Sequence, residues 1–436
     1  MLRLLSSNRV EVRLQKVPVQ KVRSVSVGDV FDAEVKEMSS LGQGVVKHPK
    51  GLTCFVSGVW TGESGKFKIT ELKRGFAQAR VIEFSNSSTS RQPAPCQYHG
   101  FESSECGGCP WMFVNYQAQL SEKQRRVSAA IGRIDERWSA RVLEIIGSPN
   151  ALGYRNRTQL KSDGHKLGFI ASKSHTLVDV ETCSILTPAL SETLKQLRQT
   201  LPNSDWSPKR NSHKRGSNSR SASARGSLAR SKSPKPSWTS VDIDDETPSD
   251  MASINQRLPF KQANDEQNDR MKHWLRKQLE AIAADEHDAM KIVELFCGSG
   301  NFTEVLAGHP SASVIAAEGS EEAIATLRAK NWPSVSAFVV NLFESSAFKA
   351  FLRKCRGMDI LFLDPPRDGL KEKEGLFVKS VRPRHVLYVS CDLATFCRDL
   401  VDFKQNGYTL DSLQPIDLFP QTPHVELMAK LSVKKK

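Results

Sequence analysis

No run of apolar residues in this 436-residue chain approaches the ~18 that a membrane-crossing helix needs, so no membrane partner is expected. The opening stretch MLRLLSSNRVEVRLQK lacks the roughly 7–15-residue apolar segment and small-residue cleavage site of a secretory signal, which places the chain, as an expectation, in the cytoplasm. Cysteine is scarce: nine residues, an odd number, exclude a disulfide scaffold and argue for reduced thiols. Internal repeats are also missing. Acidic residues are the scarcer charge, 48 against 62 Lys plus Arg, for a net +14. That excess points to a polyanionic partner, nucleic acid first. With 39% hydrophobic residues the chain has material for real cores, and its length suggests two to four domains.

The positive charge is concentrated. Residues 207–238 hold nine Lys/Arg and no Asp/Glu, and an acidic patch, VDIDDETPSD, follows. Low apolar content predicts a disordered insert over 207–253. Before it, DVFDAEVKEM, GQGVVKH, LTCFVSGVW, KFKITELK and AQARVIEF are short alternating runs between glycine-containing turns, which predict a small β-barrel over 22–84. Residues 90–206 read as a mixed α+β domain, with a helix over 115–133 and strands near LGYRNRTQLK, HKLGFI and HTLVDVE. From 255 to 436 apolar strands alternate with helices, which predicts a doubly wound, mainly parallel α/β sheet.

Open α/β sheets bind ligands at the carboxyl ends of their strands, and polar residues gather there in this chain. Cys297-Gly298-Ser299-Gly300-Asn301 follows one apolar strand and opens a helix. Glu318 ends the next strand about 20 residues on, suited to a ribose diol, and Asn341 and Asp364 end the two after that. Thr303 stands where the third glycine of a dinucleotide fingerprint would fall, which favours S-adenosylmethionine over NAD. Cys391 follows the fifth strand directly, and Glu426 begins the last one, which returns toward the same edge. The alternative for Cys391 is a small buried hydrophobe. As a thiolate it could add to C6 of uracil, making C5 nucleophilic enough to take a methyl group. Glu426 would then remove the C5 proton so that the thiolate leaves. Such a base must be single-stranded or flipped out of its stack.

The segments ELFCGSGNFT, LDPPRDG, YVSCDLATFCRDL and PQTPHVELMAKL resemble, in order, the signatures of the RNA uracil-C5-methyltransferases, and PFKQAND resembles the segment just before that family's catalytic domain. The resemblance implies a Rossmann-like class I methyltransferase domain, preceded by a TRAM/OB-like barrel and the central domain. It implies donor contacts from Gln262, Phe296, Asn301, Glu318, Asn341 and Asp364, with Cys391 and Glu426 as the catalytic pair. The barrel resembles a TRAM domain, although Thr61-Gly62-Glu63 replaces the usual Pro-Gly-Glu turn.

Four further cysteines have metal-ligand spacing: Cys96, nine residues, Cys106, two residues, Cys109, then Cys183 after a 73-residue gap. By spacing, zinc, an iron–sulfur cluster and unliganded thiols all stay open. The family resemblance implies a [4Fe–4S] cluster of structural role. The insertion FESSE makes the gap after Cys96 longer than the family's. Tyr154, Arg155, Asn156, Arg157 and Lys161 combine an aromatic with cations and are candidate RNA contacts, as are Lys66, Lys68, Lys73 and Arg74 on the barrel. The expected protein is a monomer that methylates C5 of a uridine in structured RNA, 23S ribosomal RNA ahead of transfer RNA. The competing reading is a non-catalytic RNA-binding factor that retains the fold.

Overall fold

A computed structural model describes residues 25–172, 174–208, 238–286 and 289–433. The described residues fall into two compact units, one of residues 25–37 with 43–87 and one of 38–42 with 88–433.

The first contains strands Val30–Glu34 (β1), Glu37–Met38 (β2), Gly44–Lys47 (β3), Thr53–Val56 (β4), Ser64–Lys73 (β5) and Phe76–Asn86 (β6), in the order β1-β5-β6-β4-β3-β2. The run expected as one strand over 29–38 bends at Val35. The Val35 N–H donates to Glu63 O (2.8 Å) and the Lys36 N–H to Val45 O (3.0 Å). The two outer strands of the sheet are therefore consecutive in the chain, and the sheet curls on itself as a barrel. Phe31, Val35, Val46, Val56, Phe67 and Ile69 fill it.

The second unit holds two sheets. One is antiparallel, built from Arg157–Ser162 (β7), Leu167–Ile170 (β8), Leu177–Asp179 (β9), Thr239–Asp244 (β10) and Ser253–Ile254 (β11), ordered β11-β10-β7-β8-β9. β10 lies inside the stretch expected to be disordered. It pairs with β7 from Thr239 opposite Ser162 to Asp244 opposite Arg157, and buries Val241 and Ile243. Val241 and Ile243 alternate with Asp242, whose buried carboxylate pairs with Arg157, and alternation outweighs net charge once a partner strand is present. The remainder of the insert, 209–237, lies outside the described residues. Two helices accompany this region, Tyr116–Ile134 (α1), capped by the Asn115 side chain, and Pro188–Gln199 (α2).

The other sheet has seven strands: Met290–Leu295 (β12), Ala312–Glu318 (β13), Val335–Val339 (β14), Ile360–Leu363 (β15), His385–Ser390 (β16), Tyr408–Ile416 (β17) and Glu426–Val433 (β18). Their order is β14-β13-β12-β15-β16-β18-β17, parallel through β16, with β18 antiparallel to both of its neighbours. Helices Asp265–Glu286 (α3), Thr303–Ala307 (α4), Glu321–Ala329 (α5), Ser345–Leu352 (α6) and Leu393–Gln405 (α7) cover its faces. Each inner strand feeds two cores in alternation. Leu361 and Leu363 pack with α6 and α7, whereas Ile360 and Phe362 pack with α3. That double burial explains why these strands read as unbroken apolar runs. Val127 and Ile131 of α1 join the α6/α7 side, so this helix from the segment expected as a separate central domain packs on the seven-stranded sheet. No described helix is long and apolar enough to cross a membrane.

Candidate active site

After β12 the backbone turns sharply. Phe296, Gly298 and Gly300 have φ of 65°, 52° and 97°. A Cβ on Gly300 would lie 2.7 Å from the Leu327 side chain, so only glycine fits there without movement. Glu318 steadies this loop and its own. It accepts from the Gly298 N–H (3.4 Å) with one oxygen and from the Gly319 (2.6 Å) and Ser320 (3.1 Å) N–H groups with the other. Asn301 exchanges two hydrogen bonds with Asn268 of α3 (2.9 and 3.0 Å). Thr303 donates its hydroxyl to Glu294 (2.6 Å), whose carboxyl burial pushes up to about 8. Phe296 packs against Phe343, ring centroids 5.7 Å apart, and Asn341 accepts from the Phe343 N–H (3.1 Å) while staying exposed. Gln262 is half-buried, and its carbonyl accepts from the buried Asn156 side chain (3.0 Å).

Strand register brings the second group together. β16 and β18 pair with Ser390 opposite Leu427, so one step further Cys391 comes opposite Glu426. Asp364 follows β15, the parallel neighbour of β16. The three groups sense one another. Burial pushes the Cys391 thiol up to about 12, the Glu426 and Asp364 charges add to the rise, and the Arg367 guanidinium opposes it. Burial raises Glu426 to about 8, again with Asp364 adding and Arg367 opposing. Asp364, only partly exposed in the cleft, is raised to about 7 by burial. Burial, then Arg367, hold His424 down at about 4. Near neutral pH the Cys391 thiol and most of Glu426 hold their protons, Asp364 is close to its midpoint, and Arg367 is the nearby cation. A half-buried thiol, two protonatable carboxyls and one exposed cation form a cluster suited to acid–base work. The sequence reading missed Asn268 and Glu294. Glu294 sits in an apolar strand and Asn268 on a polar helix face, and neither carries a local signal.

The four spaced cysteines are free thiols. Cys96, Cys109 and Cys183 pack around Met112, Tyr154 and Ile185, while Cys106 packs beside Ala171 and Val180. Burial raises the Cys109 thiol far above its usual range, and Cys183, Cys106 and Cys96 each add to the rise, so all four lie within electrostatic reach. Yet among the described residues no three His, Cys, Asp or Glu side chains are arranged to hold a metal ion, so the expected ligand set does not form a ready-made ion cage.

Of the expected RNA contacts near 154–161, Tyr154 and Asn156 are buried, whereas Arg155, Arg157 and Lys161 are half-buried. Tyr154 is buried and donates to Pro420 O (3.0 Å). Arg157 pairs with Asp242 of β10 (2.8 Å) and donates to the carbonyls of Leu258 (2.6 Å) and Pro259, while Lys161 donates to Ser240 (2.7 Å). On the barrel, Lys66 pairs with Glu83 (3.0 Å) and Lys73 with Glu71.

Residues 348–434, from α6 through β18, match the family model described as tRNA (Uracil-5-)-methyltransferase. An uncharacterised RNA methyltransferase of Nitrosomonas europaea is 39% identical over 92% of this chain and 96% of its own. A 23S rRNA (uracil(1939)-C(5))-methyltransferase of Shewanella amazonensis is 29% identical over 91% of this chain and 94% of its own. The Pyrococcus abyssi tRNA (uracil-54, C5)-methyltransferase, solved with S-adenosyl-L-homocysteine, superposes with a TM-score of 0.62 at 19% identity, over 92% of this chain and all of that one, which is a likeness of fold. Similarity along nearly the whole length of these relatives, joined to a family match that spans the strands carrying Cys391 and Glu426, makes this chain a member of the S-adenosylmethionine-dependent RNA (uracil-5-)-methyltransferases.

Proposed function

We propose that this enzyme methylates C5 of one uridine in 23S ribosomal RNA through a covalent bond between Cys391 and C6 of the base. The observation that carries the proposal is the register that sets Cys391 opposite Glu426, beside Asp364 and Arg367. Among the charges around Cys391, the Arg367 cation is the one that favours the thiolate. Cys391 and Glu426 each give up a proton to solvent; the Cys391 thiolate adds to C6, and the C5–C6 electron pair moves toward O4. C5 then takes the methyl group from the sulfonium donor, whose sulfur leaves with its bonding pair. Ionised Glu426 removes the C5 proton, and the returning electrons expel the thiolate and restore the ring. Gln262, Phe296, Asn301, Glu318, Asn341 and Asp364 are the proposed donor contacts, with Glu318 on the ribose.

A 5-fluorouridine transcript tests the chemistry, because fluorine cannot leave C5 as a proton does. Incubated with donor, it should be trapped on wild-type protein and not on Cys391→Ala; no trapping on the wild type would exclude the covalent route. The ribosomal target rests on relatives named for 23S rRNA, and the family model's description favours a transfer RNA reading. Mapping 5-methyluridine in both RNAs from cells with and without the protein separates them.

Cys96, Cys106, Cys109 and Cys183 are proposed to hold a [4Fe–4S] cluster that serves structure. What supports this reading is that the four thiols lie within electrostatic reach of one another and are the donor type that iron–sulfur clusters take. Purified protein should contain iron and acid-labile sulfide rather than zinc.

A further inference from the structure

We propose that Gln119 and Lys123, one turn apart on α1, are positioning residues for Glu426: they fix residues 417–425 so that the base meets the C5 proton. The proposal rests on the covalent reading above. This loop joins β17 to β18, a connection that a few turn residues could make. Instead it is held by partners far away in sequence. The Gln119 amide nitrogen donates to Gln421 Oε1 (2.9 Å), to Val114 O (2.8 Å) and to Trp111 O (3.1 Å), and its oxygen accepts from the Gln421 N–H (2.9 Å). Gln421 donates from its own amide to Ala151 O (3.0 Å), and its carbonyl accepts from the Trp111 N–H (3.0 Å). Every polar atom of Gln421 is therefore engaged, and its φ is 70°, a backbone state that a non-glycine residue keeps only when its surroundings insist. Lys123 donates to Asp417 Oδ1 (2.6 Å) and Phe419 O (3.2 Å), with both charged side chains fully buried. Arg126 adds a bond to Pro423 O (2.9 Å).

These devices bring little net stability. A buried ion pair seldom outperforms apolar residues of equal volume, and a strained φ costs free energy. What they provide is a single loop conformation, and Gln421 is five residues before the candidate base. A general base must sit within hydrogen-bond reach of its proton, and a displacement of about 1 Å can cost ~100-fold. Because proton removal follows methyl transfer, a misplaced base should leave the first step intact and stall the second.

The test uses full-length protein, a uridine-containing RNA substrate and donor labelled in its methyl group. Formation of the labelled, denaturant-resistant protein–RNA adduct and its release are timed separately, with donor affinity measured alongside. Glu426→Gln is the reference and should accumulate labelled adduct. Gln119→Ala should form adduct at the wild-type rate, bind donor normally and release methylated RNA about 10- to 100-fold more slowly. Gln421→Gly, which relieves the strained φ while removing the side-chain pair, should do the same to a smaller degree, and it decides the matter if Gln119→Ala does not fold. Equal slowing of both steps, or unchanged release in Gln421→Gly, overturns the proposal. If Glu426→Gln accumulates nothing, the covalent reading itself fails, a result distinct from normal release in the α1 variants.

Discussion

The loop after β12 and the loop before β18 end at the same edge of the seven-stranded sheet, and they are held there in different ways. Residues 296–301 take their path from glycines at positive φ and from partners close by: Glu318 is 20 residues from Gly298, and Asn268 is 33 from Asn301. Residues 417–425 take theirs from α1 and its neighbours, with Gln119 302 residues from Gln421 and Lys123 294 from Asp417. The proposed donor end is thus shaped by local backbone geometry and the proposed base end by long-range polar pairing. A local turn is set once its glycines are in place, whereas a tethered loop depends on the integrity of the packed helix that holds it.

The largest expected break in this comparison is Lys123→Ala. It leaves Asp417 buried without its cation and should destabilise the protein by about 3–5 kcal/mol in urea unfolding. Lys123→Met combined with Asp417→Leu should recover most of the loss; a single-variant cost below about 1 kcal/mol would mean the pair behaves as a surface contact. At the donor end, Gly300→Ala forces a side chain into a positive φ and against Leu327. It should cost ~1–3 kcal/mol and weaken donor binding, while the release of methylated RNA from any adduct that does form keeps its rate.

A smaller effect concerns charge. Burial lifts Glu426 from 4.5 to about 8, so between those values the folded protein holds a proton that the unfolded chain has lost. This contribution favours the fold at low pH and fades as pH rises toward 8. Glu426→Gln cannot titrate, so its melting temperature should gain on the wild type between about pH 5 and about pH 8. A difference that stays flat across that range would show that Glu426 is already ionised in the resting site. For the same reason, methylation in the proposed mechanism should rise with pH from neutrality toward 8, because the base acts only when ionised.

The alternating apolar runs of the barrel and the double-faced strands of the large sheet were readable as pattern, because one or two buried faces impose a period that composition cannot hide. The turn at Gly298 and Gly300 was readable for a similar reason, since φ preference is a property of the residue. Glu318, Asp364 and Cys391 could be set at one edge because parallel strands end on the same side. β10 escaped notice: Val241 and Ile243 are too few to signal a strand until β7 supplies the pairing. The burial of Tyr154 and the pairing of Arg157 with Asp242 and of Lys161 with Ser240 were equally hidden, because a cation's partner depends on where an acid or hydroxyl comes to rest.

By itself the sequence determined the sheet order's raw material, the glycine turn and the chemistry present at the strand ends, all of which follow from interactions within a few residues or from a repeating period. Only the tertiary structure decided which carboxylate comes opposite Cys391, how the loop before β18 is tethered to α1 and whether the four thiols come within electrostatic reach of one another. Those outcomes depend on contacts between residues tens to hundreds of positions apart, which no local preference encodes.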